Sequence, residues 1–205
     1  MADVDLRIRT PLEGLVQPGR FGAASSNPGL LIEEITDLAL ATMTARRGVE
    51  QDLRHAVAEA YGLELPHGPR ISTRNGVLFA GTGIGQWLAA AEGLAAAGFV
   101  PRLREHLKDL ASIADQSDGR VVLRLSGERV REVLSKGIPV DLHPRSFRTG
   151  HVASTTVAQI GVQIQQLADQ PVFRLMAFRS FAGSLLSWLT KSAAEFGYEI
   201  AHREH

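Results

Sequence analysis

The sequence contains no cysteine. That excludes disulfides, cysteine-ligated zinc, iron–sulfur clusters and thiol nucleophiles. It has no excess of either charge: Lys+Arg and Asp+Glu both number 22 in 205 residues. A basic nucleic-acid footprint is therefore not indicated. No apolar run reaches the roughly 18 residues needed to span a bilayer. Residues 1–10 alternate charged and apolar side chains and contain no signal-peptide core. The expectation is a soluble cytoplasmic protein. No G-x-S-x-G elbow, phosphate loop or H-E-x-x-H motif occurs. The seven histidines stand in no metal-ligand spacing. Two of them, His202 and His205, sit in a short charged tail, 201–205.

What the sequence does have is enough apolar content, 44%, for one sizeable core. Residues 1–30 are punctuated by Pro and Gly without hydrophobic periodicity and read as an extended arm. Two readings fit it, a tail or an arm docking on a partner chain. In the second, Arg7, Arg9 and Leu12 are candidate contacts. Residues 31–200 read as one α+β domain with mostly antiparallel sheets and helices on one side. It divides into two similar halves, about 31–111 and 112–200.

In the first half, residues 35–44 read as a strand. A helix follows Gly48, with Leu53, Ala56, Val57, Ala60 and Tyr61 in a 3–4 stripe. Strands are expected at 70–73 and 77–80. The next stretch, Gly81-Thr82-Gly83-Ile84-Gly85-Gln86, imitates a dinucleotide fingerprint. Its third glycine is replaced by Gln86, and no acidic residue ends a strand about 20 positions on. A glycine turn between antiparallel strands 77–80 and 86–91 is the better reading. A helix starts near Pro101, with Leu103, Leu107 and Leu110 repeating.

In the second half, 113–116 reads as a short strand and Asp118-Gly119 as a hairpin signal. Residues 121–126 alternate as a half-buried strand. A short helix buries Val130, Val133 and Leu134, and Gly137 reads as its left-handed cap. The proline-framed loop 139–147 follows. Three more strands are expected at 154–158, 162–166 and 172–178. Ser180 reads as the cap of a last helix with Phe181, Leu185, Trp188, Leu189 and Phe196 on one face.

His143, between Asp141 and Arg145, has two readings: a general base paired to Asp141, or a loop histidine bonded to backbone. Glu33 and Glu34 read as solvated carboxylates. Arg174 and Arg179 read as exposed charges on a sheet, with an anion grip as the alternative. Phe21, Trp87, Leu142 and Phe147 fall in loops or turns, where they either anchor a partner or form a satellite core.

The runs Val121-Val122-Leu123-Arg124-Leu125-Ser126-Gly127 and Val133-Leu134-Ser135-Lys136-Gly137-Ile138-Pro139-Val140-Asp141-Leu142-His143-Pro144 carry a resemblance. With them go Phe147, Phe173-Arg174-Leu175, Arg179-Ser180-Phe181, Trp188-Leu189 and the turn from Gly81 to Gln86-Trp87-Leu88. Together they resemble the gamma subunit family of heterotetrameric sarcosine oxidase. The resemblance implies a fold related to the folate-binding domain of aminomethyltransferases. It implies a non-catalytic subunit with no cofactor, metal or catalytic residue of its own. The partners implied are alpha, beta and delta subunits, with FAD, FMN and NAD on the larger chains and zinc on delta. The complex would demethylate sarcosine oxidatively to glycine, pass the one-carbon unit to tetrahydrofolate and release hydrogen peroxide. Leu142, His143, Arg145 and Phe147 then become candidate interface residues beside Arg7, Arg9 and Leu12. The alternatives are a related complex acting on another N-methyl amino acid and a stand-alone folate-binding protein. Stand-alone folate proteins of this kind usually carry a cysteine-bearing signature, which is missing here.

Overall fold

The computed structural model describes residues 9–24, 27–93 and 96–201. Arg7 and residues 202–205, with His202 and His205, lie outside the described residues. The strands are β1 (Gly19–Phe21), β2 (Leu30–Glu34), β3 (Leu38–Ala45), β4 (Ile71–Arg74), β5 (Val77–Gly83), β6 (Gln86–Glu92), β7 (Ala111–Asp115), β8 (Arg120–Ser126), β9 (Val152–Val157), β10 (Ile160–Ala168), β11 (Val172–Phe178) and β12 (Tyr198–Ala201). The α-helices are α1 (Glu50–Tyr61), α2 (Phe99–Leu107), α3 (Val130–Ser135) and α4 (Ala182–Ala193).

Two sheets stack face to face, and each carries two helices on its outer side. The five-stranded sheet runs β4-β5-β6-β3-β7, and the seven-stranded sheet runs β9-β10-β11-β8-β2-β12-β1. The units β3-α1-β4-β5-β6-α2-β7 and β8-α3-β9-β10-β11-α4-β12 therefore match element for element. The second differs by the insertion of β2 between β8 and β12 and the addition of β1 outside β12. All pairings are antiparallel except that of β12 with β2. The expected two-halved α+β class is this arrangement.

Three apolar cores follow from strands covered on both faces. Leu53, Val57, Phe99 and Leu103 of α1 and α2 pack on Met43, Phe79, Trp87, Ala89 and Ala91. Val130, Val133, Leu185 and Leu189 of α3 and α4 pack on Val121, Leu123, Leu125, Phe173 and Leu175. Between the sheets, Leu38, Leu40, Leu78 and Leu88 meet Val122 and Met176. The alanines of β6 let that strand pack closely on both sides. Strand β8 is buried on both faces, not half-buried as its alternation suggested.

Four local expectations are corrected. Asp118-Gly119 is not a hairpin turn, because β7 pairs with β3 while β8 pairs with β2 and β11. Gln116 donates its N–H to the Leu40 carbonyl at 2.8 Å, and Leu40 donates to Ser117 Oγ at 3.1 Å. These bonds carry the chain past β3 before it crosses to the other sheet. Gly137 is not a left-handed cap, since Lys136 ends α3 in right-handed conformation. Glycine is needed there because a Cβ would stand 2.8 Å from Cζ2 and Nε1 of Trp188. Ser180 does not cap α4. A 3-10 turn over Arg179–Phe181 leads in, no side chain caps the helix, and Phe181 is exposed while Leu185 and Leu189 are buried. Strands β1, β2 and β12 were not expected at all.

The arm residues that are described lie on the chain's own seven-stranded sheet. Phe21 pairs with Tyr198, Leu12 is buried in the α3/α4 core, and Arg9 contributes its carbonyl to Arg179. Glu34, read as solvated, accepts from Thr10 Oγ1 at 2.8 Å and from the Leu12 N–H at 3.0 Å, and so ties the arm down.

Candidate functional site

The loop 139–147 leaves α3 and folds back over the β10/β11 end of the seven-stranded sheet. Leu142 and Phe147 are buried, and Phe147 stacks on Phe173 at 6.3 Å between ring centroids. Their side chains are thus core residues of this chain, while His143 and Arg145 are exposed. The loop is built from within. Asp141 Oδ1 accepts the His143 backbone N–H at 2.9 Å, and His143 Nδ1 accepts the Arg145 N–H at 3.2 Å. The His143 carbonyl accepts from Ser146 and Phe147 at 2.8 and 2.9 Å. Asp141 and His143 thus both bond to loop backbone, the arrangement that the loop-histidine reading describes. The Ser146 hydroxyl, and after it the His143 N–H, hold the Asp141 carboxyl below the ordinary aspartate value.

Arg131, which the sequence reading passed over, organises this loop from α3. Its guanidinium donates to the Leu142 and Phe147 carbonyls and reaches Gln166 Oε1 at 3.0 Å, while its Cζ lies 5.1 Å from the Phe173 ring centroid. The five-donor fork of arginine suits such a hub. Burial lowers its pKa.

A second polar cluster lies between the sheets. Arg174 is not an exposed sheet charge. It is 2% exposed and ion-paired with Glu92 of β6. Arg124 Nη2 stands 3.9 Å from the other Glu92 oxygen. The pair walls a cleft of about 380 Å³ that Thr73, Thr149 and Gln166 also line. Burial pushes the Arg174 pKa down, to about 10. It stays a cation at neutral pH, and its charge is matched by Glu92. A lone arginine inside the apolar run 172–177 was the signal for a buried pair. Glu92, closing an alanine-rich strand, gave none.

The glycine stretch 81–85 is a β5–β6 hairpin, as expected. A Cβ on Gly81 would overlap the Gly68 carbonyl oxygen. No helix follows the turn, so no helix N-terminus faces a phosphate there. Among the described residues, no three His, Asp or Glu side chains gather as a metal-binding group. No helix among them is long and apolar enough to cross a membrane.

Residues 47–195 match the family model described as sarcosine oxidase, gamma subunit family. The chain belongs to that family. Among its curated relatives, sarcosine oxidase subunit gamma of an Arthrobacter species is 32% identical over 193 residues, covering 92% of this chain and 91% of the relative. The subunit gamma of Corynebacterium sp. (strain U-96) is 31% identical over 168 residues, covering 79% and 80%. Among solved structures, a chain of the heterotetrameric sarcosine oxidase from Corynebacterium sp. U-96, in complex with pyrrole 2-carboxylate, superposes with a TM-score of 0.75. Its identity is 25%, and the likeness covers 92% of this gamma-family chain and 96% of that one. Glycine cleavage system aminomethyltransferase T from Bartonella henselae shares the fold, with a TM-score of 0.61 and 14% identity over 86% of this chain and 48% of that one. The gamma-family fold is thus the aminomethyltransferase-related fold anticipated from the sequence.

Proposed function

We propose that this chain is the gamma subunit of a heterotetrameric sarcosine oxidase and supports the complex without performing its chemistry. The observation that carries the reading is the likeness, over nearly the full length of both, to a chain of a heterotetrameric sarcosine oxidase. The polar groups support it. Asp141 and His143 bond to loop backbone, Arg131 to loop carbonyls, and Arg174 to Glu92. These contacts tie the polar groups into the fold. On this reading the other subunits are alpha, beta and delta. FAD, FMN and NAD belong to the larger chains, and zinc to delta. The complex, cytoplasmic on this reading, oxidises the N-methyl group of sarcosine, hands the one-carbon unit to tetrahydrofolate and reduces oxygen to hydrogen peroxide.

The test is co-expression with the genes for three partner subunits, followed by purification through a tag on this chain. The expected result is a yellow four-chain complex that oxidises sarcosine in preference to other N-methyl amino acids. Flavin absorbance or tetrahydrofolate binding by the lone chain would overturn the supporting role, and so would failure to co-purify.

A further inference from the structure

The edge strands β4 and β9 bring a group of cations together where the two sheets meet. Arg70, just before β4, forms a bridge with His151, just before β9. Ile71 donates its N–H to the Gly150 carbonyl at 2.8 Å, and Val152 donates to the Pro69 carbonyl at 3.2 Å. The end of loop 139–147 is tied to the same place. His151 donates its N–H to the Arg148 carbonyl at 2.9 Å, and Arg148 Nε donates to the Arg145 carbonyl at 3.1 Å. Arg70, Arg145 and Arg148 are exposed. Arg131 holds the loop from within, its fork engaged with the Leu142 and Phe147 carbonyls and Gln166.

Among the described residues, none of these four arginines is ion-paired. Two carboxylates close to them along the fold are engaged otherwise. Asp141 accepts the His143 N–H at 2.9 Å, and Asp169 accepts the Thr149 hydroxyl at 2.7 Å. By contrast, Arg20, Arg54, Arg129 and Lys136 are paired with Glu199, Glu50, Glu132 and Glu195. A chain of zero net charge thus keeps a group of unmatched guanidinia on one edge. A neighbouring group responds to them: burial first, and then the charges of Arg70 and Arg148, push the His151 pKa down.

We propose that this edge docks an acidic segment of another subunit of the oxidase complex, with carboxylates set against Arg70, Arg145 and Arg148. The inference rests on the subunit reading above and adds to it the chemistry of the partner surface. The sign of the charge calls for an anion. An exposed, solvated guanidinium gains little from one small anion. A protein surface gathers several such pairs at once, and their field steers and orients the encounter. Nucleic acid is the poorer match, since its binding commonly neutralises about 6–10 phosphates, more than this edge can meet. Arg70 belongs to the first half of the repeat and Arg145 and Arg148 to the second, so a segment bound across them touches both halves.

The experiment uses the four-subunit complex, purified through a tag on another subunit from cells that express wild-type and variant copies of this chain equally. Arg145→Glu combined with Arg148→Glu is expected to fall about tenfold below the wild type in its share of the complex. Both side chains are exposed, so the lone variant should melt close to the wild type. Arg104→Glu combined with Lys191→Glu makes the same change in net charge at other exposed positions and should enter the complex at the wild-type share. Separately, Arg145→Lys and Arg148→Lys keep the charge. A zero-length carbodiimide is expected to join the introduced amines to Asp or Glu side chains of another subunit. Should the glutamate variant fail to fold, this cross-link decides. The inference is overturned by an equal share for Arg145→Glu/Arg148→Glu, or by an equal loss in the control pair. Cross-links only within this chain, to a second copy of it, or to nothing overturn it as well. If the wild-type chain itself is missing from the complex, the subunit reading fails. If it is present and only these results are negative, the assignment of the edge alone fails.

Discussion

Arg174 of β11 forms its ion pair with Glu92 of β6 across the gap between the two stacked sheets. The contact joins the two halves of the repeat by charge, beside the apolar layer of Leu38, Leu40, Val122 and Met176. Arg174 is buried, so removing its partner leaves an uncompensated cation in the interior. Glu92→Gln is expected to lower stability by about 3 kcal/mol, the low end for a broken buried pair, because Glu92 itself keeps some solvent contact. Urea denaturation measures the loss. Combining it with Arg174→Met, which removes the charge, is expected to restore part of the stability. Equal stability of Glu92→Gln and the wild type would show that the pair has no cross-sheet role.

Gly137 and Trp188 are the second close pair. The Gly137 backbone is not left-handed, so alanine is conformationally allowed, and by chain entropy alone it would stabilise by roughly 0.4–1 kcal/mol. The contact with the indole reverses the sign. A methyl 2.8 Å from Trp188 Cζ2 forces the ring to move, and overpacking of this kind costs about 1–3 kcal/mol. Gly137→Ala is therefore expected to be net destabilised and to show altered Trp188 fluorescence. Adding Trp188→Phe should recover much of the loss. A stabilised Gly137→Ala would contradict the packing argument.

The Asp141 carboxyl should titrate below the ordinary aspartate value, because the Ser146 hydroxyl and the His143 N–H bond its charged form. The native state then binds this proton less readily than the unfolded chain. The contribution to stability is present above the unfolded pKa and is lost as pH falls through the depressed native one. A carboxyl-carbon NMR titration checks the direction. Ser146→Ala should move the midpoint upward, toward the unfolded value, while an unmoved midpoint would assign the shift elsewhere.

The helices and the hairpins were legible because their signals are local. The 3–4 stripe from Leu53 to Tyr61 gave α1, and the glycines from Gly81 to Gly85 gave the β5–β6 turn. Strands β1, β2 and β12 were not legible. They are short, and their partners are distant: Arg20 meets Glu199 at a separation of 179 residues. Strand alternation shows where side chains point, but not whether one face or two will be covered. For that reason β8 looked half-buried and Arg174 looked solvated. The interface candidates suffered from the same blindness. Leu142 and Phe147 looked like loop anchors because nothing in the sequence reveals that Arg131 folds their loop onto Phe173. Of that set, His143, Arg145 and Arg9 are at the surface.

Strand β1 pairs with β12 alone, and β12 completes the ladder next to β2. As the chain leaves the ribosome, the β1 segment emerges early and must wait for β12, synthesised long after it. The five-stranded sheet has no such debt to the far end of the chain, since β3 to β7 lie within residues 38–115. One half can thus settle during translation while the other stays unfinished. The Phe21–Tyr198 ring pair, one ring on each strand, comes into existence only at that last step.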